Sequence, residues 1–203
     1  MASPLNAEGV RRLHLVRHGE TAGESSIRYF GRTDVPLSDL GRRQMAALAR
    51  AVAPLHAHAI VHSPLQRAAE SARILAEGLA LSCAPEAEDA FREIDFGAFE
   101  GLTREEIARR DPVWFAVWQR GEHERFPGGE AIADFAARVR AGLQAVLART
   151  RGDVLVVAHR GVIRQIARCV LPEGGDEPAE LASLSTVRLA PPAIERWNVT
   201  GRV

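Results

Sequence analysis

The chain has 203 residues, the span of one domain or of one domain with an insertion, and its 46% hydrophobic and 26% charged content argues against disordered, fibrous and coiled-coil architectures. Lys plus Arg and Asp plus Glu each total 26, so no overall charge marks the chain for nucleic acid or an acidic membrane, and any anion site has to be local. Every one of the 26 basic residues is Arg, which removes a Walker-type phosphate loop and all Schiff-base chemistry, both of which need a Lys amine.

Leu13 to Val16 is a short apolar run that ends in Arg17-His18-Gly19 and predicts a buried strand entering a loop. Ser38 suits a helix cap, and Leu40, Met45, Leu48 and Val52 recur at helical spacing until Pro54. Ala59 to His62 predicts the next strand. Ser63-Pro64 suits a helix start, with Ala68, Ala72, Leu75 and Leu79 continuing on one face. Asp111-Pro112 opens a helical insertion bearing Trp114, Phe115 and Trp118, whose aromatic side chains predict packing, and Phe126-Pro127-Gly128-Gly129 breaks it. Ile132, Phe135, Ala136, Val139, Leu143, Val146 and Leu147 give a long amphipathic helix that stops near Gly152. The continuous apolar run Val154 to Ala158 predicts a strand, and Val162, Ile163, Ile166 and Val170 a helix after it. Ser185 to Leu189 and Ile194 to Val199, around Pro191-Pro192, predict two edge strands. The alternation predicts a three-layer α/β/α sandwich, with a mainly parallel central sheet, helices on both faces and a small helical insertion.

Cys83 and Cys169 are far apart in sequence, so they form no metal or redox pair and read as two buried thiols. No apolar run reaches 18 residues and Met1 to Arg12 holds no apolar leader core, which predicts a soluble cytoplasmic protein. His56, His58 and His62 come with no partnering carboxylate motif, and they read as loop residues in preference to metal ligands. His14 and His123 carry no interpretable signal.

In open α/β sheets ligands bind at the carboxyl ends of strands. Three predicted strands run directly into cationic or imidazole groups: Arg17-His18-Gly19, then Ser63-Pro64-Leu65-Gln66-Arg67, then His159-Arg160-Gly161. Gly19 and Gly161 let backbone approach a ligand, and the Arg17 and Arg67 forks match phosphate oxygens. The ligand expected from the residues is a phosphoryl group, with His18 able to attack phosphorus if neutral, a state that two neighbouring guanidinium groups favour.

Leu15-Val16-Arg17-His18-Gly19-Glu20-Thr21 resembles the signature of the histidine phosphatase superfamily, in its phosphoglycerate-mutase-like branch. Further blocks resemble it in order: Asp34 to Ser38 with Leu40-Gly41, Ser63-Pro64-Leu65 with Arg67-Ala68, Glu93 to Gly97 with Glu100-Gly101, Pro127 to Glu130, and Val157-Ala158-His159. The resemblance covers nearly the whole chain as a single domain, residues 1–203, with an insertion at about 98–130 over the active site. It implies that His18 accepts the phosphoryl group, that Arg17, Arg67 and His159 clamp its oxygens, and that Glu93 is the acid/base, with Asp95 the competing carboxylate. Such a site works without metal or other cofactor, because two guanidinium groups and a second imidazole supply the charge.

Two positions depart from the pattern. Glu24 stands where the family often has Asn, which requires that its loop turn away or that it pair with Arg28 or Arg32. Arg160 follows the second His, where a small residue is common, and reads either as a further phosphate contact or as a surface residue. Thr21 and Ser25 or Ser26 are candidate hydroxyl donors. The leading expectation is a metal-independent phosphomonoesterase for a small phosphorylated metabolite, closest in pattern to the α-ribazole phosphatase group. The alternatives are a phosphoglycerate mutase and a non-catalytic phosphate-binding module. An uncovered strand edge near the C-terminus could pair across a homodimer.

Overall fold

The computed structural model describes residues 9–171 and 176–203. In chain order the elements are β1 (Val10–Arg17), α1 (Asp39–Val52), β2 (Ala59–His62), α2 (Gln66–Gly78), β3 (Pro85–Ala87), α3 (Arg104–Arg110), α4 (Pro112–Gln119), α5 (Ile132–Arg149), β4 (Gly152–Ala158), α6 (Arg160–Val170), β5 (Ser183–Leu189) and β6 (Pro192–Thr200). One sheet of order β3-β2-β4-β1-β5-β6 holds all six strands. β3, β2, β4 and β1 run parallel, while β5 is antiparallel to both β1 and β6.

β4 shows why the layers form. Val154, Leu155, Val156, Val157 and Ala158 are each 0% exposed, as an apolar run covered on both sides must be. Side chains alternate across a strand, so Val154, Val156 and Ala158 pack with Val139 and Leu143 of α5 and Val162 and Ile166 of α6. Leu155 and Val157 point the other way, to Met45 and Leu48 of α1 and Leu75 of α2. The expected three-layer sandwich is the fold observed.

Local chemistry places the helix ends. Ser38 Oγ accepts from Gly41 N at 3.0 Å, capping α1. Thr103 and Glu106 form a capping box on α3, and Asp111 caps α4 with Pro112 in its first turn. α4 carries Trp114 and Trp118 against Phe99, Phe126 and Tyr29, with ring centroids 4.7 Å apart for Trp114 and Phe99 and 5.3 Å for Trp118 and Tyr29. The insertion is thus fastened to the body by aromatic packing.

Four expectations need correction. β5 is not an edge: it lies between β1 and β6, and its hydroxyls are buried because each finds a partner, Thr186 Oγ1 with His14 Nδ1 at 3.0 Å and Ser185 Oγ with Asn198 N at 3.1 Å. α2 begins at Gln66, and Ser63 does not cap it. Cys83 and Cys169 are only partly buried. His62 ends β2, as the expected strand Ala59 to His62 has it, so the grouping of His62 with His56 and His58 as loop residues is the part that fails. The short edge strand β3 has no apolar run to announce it.

Gly41, inside α1, lies so close to the Glu20 carbonyl that a Cβ there would collide with it, and a Cβ on Gly19 would meet Gly41 O at 2.5 Å. Ala is the better helix former by up to about 1 kcal/mol, but overpacking against backbone costs about 1–3 kcal/mol. Gly41→Ala should therefore lower stability by about 1–2 kcal/mol, read as an earlier urea midpoint at unchanged slope. A variant as stable as the parent would show that the contact relaxes freely.

Candidate active site

The parallel register brings three strand ends together. Arg17 is opposite Ala158 and His62 opposite Val157, and the ladder continues one step further, with His18 N donating to Ala158 O at 3.1 Å and Ser63 N to Val157 O at 3.0 Å. His18, Ser63 and His159 consequently stand side by side at the carboxyl edge of the sheet. His18 and His159 border a cavity of about 550 Å³ lined also by Arg17, Arg67, Glu93 and Arg160.

The His18 ring is buried, and its Nδ1 lies 2.7 Å from the Gly19 carbonyl. A carbonyl only accepts, so Nδ1 carries the proton and Nε2 holds the lone pair. Burial, then the charges of Arg67 and Arg17, hold its pKa well below the ordinary imidazole value, with the Gly19 carbonyl opposing. The ring is neutral at pH 7 and chemically able to act as a nucleophile through Nε2. His159 stands with its ring centroid 5.1 Å away at 61°. Its pKa is also pushed well down, by burial first and then by Arg67 and His18. Its Nε2 is 2.7 Å from Ser63 Oγ, while its buried Nδ1 has no hydrogen-bond partner among the described residues. When the Ser63 hydroxyl donates to Nε2, Nδ1 bears the ring proton and is a donor available to a ligand.

The two arginines are anchored by carbonyls. Arg67 is 2% exposed, and its terminal nitrogens donate to Thr33 O at 2.8 Å and Gly31 O at 2.7 Å. Arg17 Nη1 donates to Ala179 O at 2.9 Å, and its buried Nε has no partner among the described residues. Burial, then the charge of Arg160, lower the Arg17 pKa to about 10, which leaves it charged at neutral pH. A buried donor without a partner costs about 1–3 kcal/mol, and a phosphoryl oxygen would satisfy Arg17 Nε and His159 Nδ1 together.

Glu93 is 7% exposed, and its carboxylate accepts from Ile94 N at 3.0 Å and from Gly161 N, in the first turn of α6, at 2.9 Å. A Cβ on Gly161 would meet Glu93 Oε1 at 2.5 Å, so that glycine makes room for the carboxylate. Asp95 Oδ1 accepts from Gly97 N at 2.8 Å and serves its own loop.

Arg138 of α5 had no sequence signal and positions Glu93. It donates to the carbonyls of Ala90 at 2.8 Å, Arg92 at 2.7 Å and Glu93 at 3.0 Å, and pairs with both oxygens of Glu130 at 2.7 and 2.8 Å. The Pro127 to Glu130 block thereby grips the segment that carries Glu93, a link reinforced by Glu130 N donating to Asp95 O at 3.0 Å.

The remaining candidates are spread around this centre. Gly19 and Thr21 do not line the cavity: Gly19 packs on Gly41, and Thr21 Oγ1 accepts from Ser25 N at 3.2 Å. Ser25 and Ser26 do line it, with Ser25 Oγ donating to Glu20 at 2.9 Å. Arg160 is exposed at the cavity wall. Glu24 is turned to solvent, 3.9 Å from Arg28. Arg104, Trp118, Gln119, Gly121, His123 and Phe126 bring the insertion onto the same cavity. Among the described residues no group of three or more His, Cys, Asp or Glu could hold a metal ion, and no helix is long and apolar enough to cross a membrane.

The family model described as histidine phosphatase superfamily, branch 1, matches residues 13–200. The chain belongs to the histidine phosphatase superfamily. A bifunctional protein of Mycobacterium tuberculosis is 39% identical over 180 residues, 86% of this chain and 49% of that protein, so the chain spans about half the length of the curated relatives at this identity. Phosphoserine phosphatase 1 of Hydrogenobacter thermophilus is 34% identical over 161 residues, 79% of this chain and 75% of that one. A solved structure of a putative α-ribazole-5′-P phosphatase from Escherichia coli shares the fold, with a TM-score of 0.80 at 23% identity over 94% of this histidine phosphatase chain and 97% of its own.

The two buried imidazoles tie stability to pH. The unfolded chain takes up protons below about pH 6.5 that His18 and His159 refuse in the fold, so stability is complete above that pH and falls as the solution is acidified. Between pH 7 and 5.5 these two groups alone should remove about 2–3 kcal/mol from the unfolding free energy in phosphate-free urea titrations, and His14, lowered chiefly by burial, acts in the same direction. His159→Asn should flatten that slope by one proton. A pH-independent unfolding free energy across this window would mean that both rings protonate normally in the fold.

Proposed function

We propose that this chain is a phosphomonoesterase that needs no metal ion and acts on small phosphorylated metabolites through a phosphohistidine at His18. The observation that supports this most directly is a neutral imidazole with its Nε2 lone pair free, set among two carbonyl-anchored guanidinium groups, a second imidazole and a buried carboxylate. The relatives named as phosphatases support the same class of reaction.

In the first half-reaction His18 Nε2 attacks phosphorus, the N–P bond forms and the ester P–O bond breaks. Arg17, Arg67 and His159 stabilise the equatorial oxygens, where charge is spread in phosphoryl transfer. Glu93, protonated, gives its proton to the departing alkoxide. In the second half-reaction water attacks phosphorus, Glu93 takes the water's proton, the N–P bond breaks and orthophosphate leaves with His18 neutral again. One carboxyl group serves both steps.

p-Nitrophenyl phosphate should be turned over in the presence of chelator, and rapid quenching should trap an acid-labile, base-stable phosphoenzyme that His18→Ala lacks. Binding of phosphate without any turnover would make the chain a binding module instead. Arg67→Ala should cost about 3–4 kcal/mol of transition-state stabilisation, on the order of 10²–10³ in rate.

The role of Glu93 can be separated from general damage by changing the leaving group. Glu93→Gln should slow phosphoenzyme formation strongly with an alkyl ester, whose alkoxide leaves poorly, and mildly with the aryl ester. Equal slowing with both esters would remove proton transfer from its role and turn attention to Asp95.

A further inference from the structure

α6 starts immediately after His159 and carries Arg160, Arg164 and Arg168 one turn apart. The other side of the helix, Val162, Ile163, Ile166 and Ala167, is buried in the core, and all three arginines line the cavity that contains His18. Like charges four residues apart on a helix repel. Arg168 is relieved by Asp176 at 2.6 Å, whereas Arg160 and Arg164 have no ion-pair partner within 4.0 Å among the described residues. Arg164 Nε is buried without a hydrogen-bond partner, and burial, then Arg160 and Arg168, lower the pKa of that guanidinium.

The surroundings make the imbalance larger. In a chain of net charge +0, the described cavity lining holds seven arginines and a single carboxylate, Glu93. Arg17 and Arg67 are fixed beside His18. Arg28 is engaged by Glu106 at 2.9 Å, and Arg104 lies over the rings of Phe115 and Trp118 at 5.2 and 5.7 Å. Among the described residues, Arg160 and Arg164 remain as cations at the cavity without an ion-pair partner within 4.0 Å. Arg164 is five residues beyond His159, about 7.5 Å along the helix axis, so it is placed for a group other than the phosphoryl at His18.

We propose that Arg160 and Arg164, flanked by Arg168, form a second anion subsite, and that the substrates are phosphomonoesters whose alcohol portion carries a further carboxylate or phosphate. This rests on the reading of the His18 pocket as the phosphoryl site. Guanidinium forks pair with either oxyanion, so the shared chemistry is a second oxyanion at a fixed distance from the first.

Equilibrium binding tests the subsite without turnover. Calorimetry on the full chain would compare simple alkylphosphonates with α,ω-alkane bisphosphonates and ω-carboxyalkylphosphonates, with spacers of roughly two to eight carbons to cover the helix-axis separation. At one spacer length a ligand with two anionic groups should bind at least about tenfold more tightly than the monophosphonate of equal length. Whichever of the two series shows the gain identifies the second group. Arg164→Gln should bring the ratio to about 1–2, Arg164→Lys should retain part of it, and Arg104→Gln, on another wall of the cavity, should leave it in place. The monophosphonate serves throughout as the measure of a folded, intact clamp.

A ratio below about 2 at every spacer, a ratio that survives Arg164→Gln, or an equal loss in Arg104→Gln would overturn the subsite. The last result would assign the effect to the general positive field. Normal monophosphonate binding without a gain from the second anion would refute the subsite alone. Failure of the monophosphonate to bind would sink the phosphoryl site and the subsite together.

Discussion

The most demanding constraint in this molecule is the burial of a guanidinium group, that of Arg67, with no carboxylate bonded to it among the described residues. Its terminal nitrogens end on two backbone carbonyls, Gly31 O and Thr33 O, and Arg17 uses Ala179 O in the same way. Carbonyl dipoles satisfy the N–H groups without cancelling the positive charge. An acidic partner would have cancelled that charge and left less field for a ligand. The neutrality of His18 and His159, set first by burial and then by these cations, and the carbonyls of segments 31–33 and 179 belong to one arrangement that holds positive charge without neutralising it.

Around that centre the architecture separates charge from geometry. The sheet delivers His18 and His159 through adjacent parallel strands, whose ladder fixes their relative height to the spacing of backbone bonds. Glu93 arrives differently, on an irregular segment, and requires separate support from Arg138, Glu130 and the backbone at Gly161. The proposed nucleophile therefore sits at the end of a strand held by the sheet ladder, and the proposed proton carrier on a segment held by side-chain contacts. Substitutions in α5 far from the cavity should reach the chemistry through Arg138 and leave the phosphate clamp untouched.

Much of the fold was legible because its signals are local. The uninterrupted run Val154 to Ala158 and the period of α5 follow from how neighbouring residues bury themselves, and the blocks around His18, Arg67, Glu93 and His159 each sit at or soon after a strand or turn. Relations between distant residues were not legible. Ser63 looks like a helix cap from its neighbours, yet its hydroxyl meets an imidazole 96 positions away. Arg138 is an ordinary polar position of an amphipathic helix until the Glu93 segment packs on it. β5 reads as an edge strand from the prolines that follow it, and only the strands that pair with it on both sides place it inside the sheet. Gly19 was read as room for a ligand, and the room is taken by α1.

The nitrogens of Arg17 and His159 that have no partner among the described residues have a consequence for the end of the proposed catalytic cycle. Donors that bind the oxygens of a phosphate ester bind those of free orthophosphate equally well, and nothing in their geometry separates the two. When the alcohol has left and water has done its work, the product remains in the position of greatest attraction. If the proposed reaction holds, departure of orthophosphate would then be the slow event for good substrates, and the ambient phosphate concentration would set how much of the protein is idle at any moment.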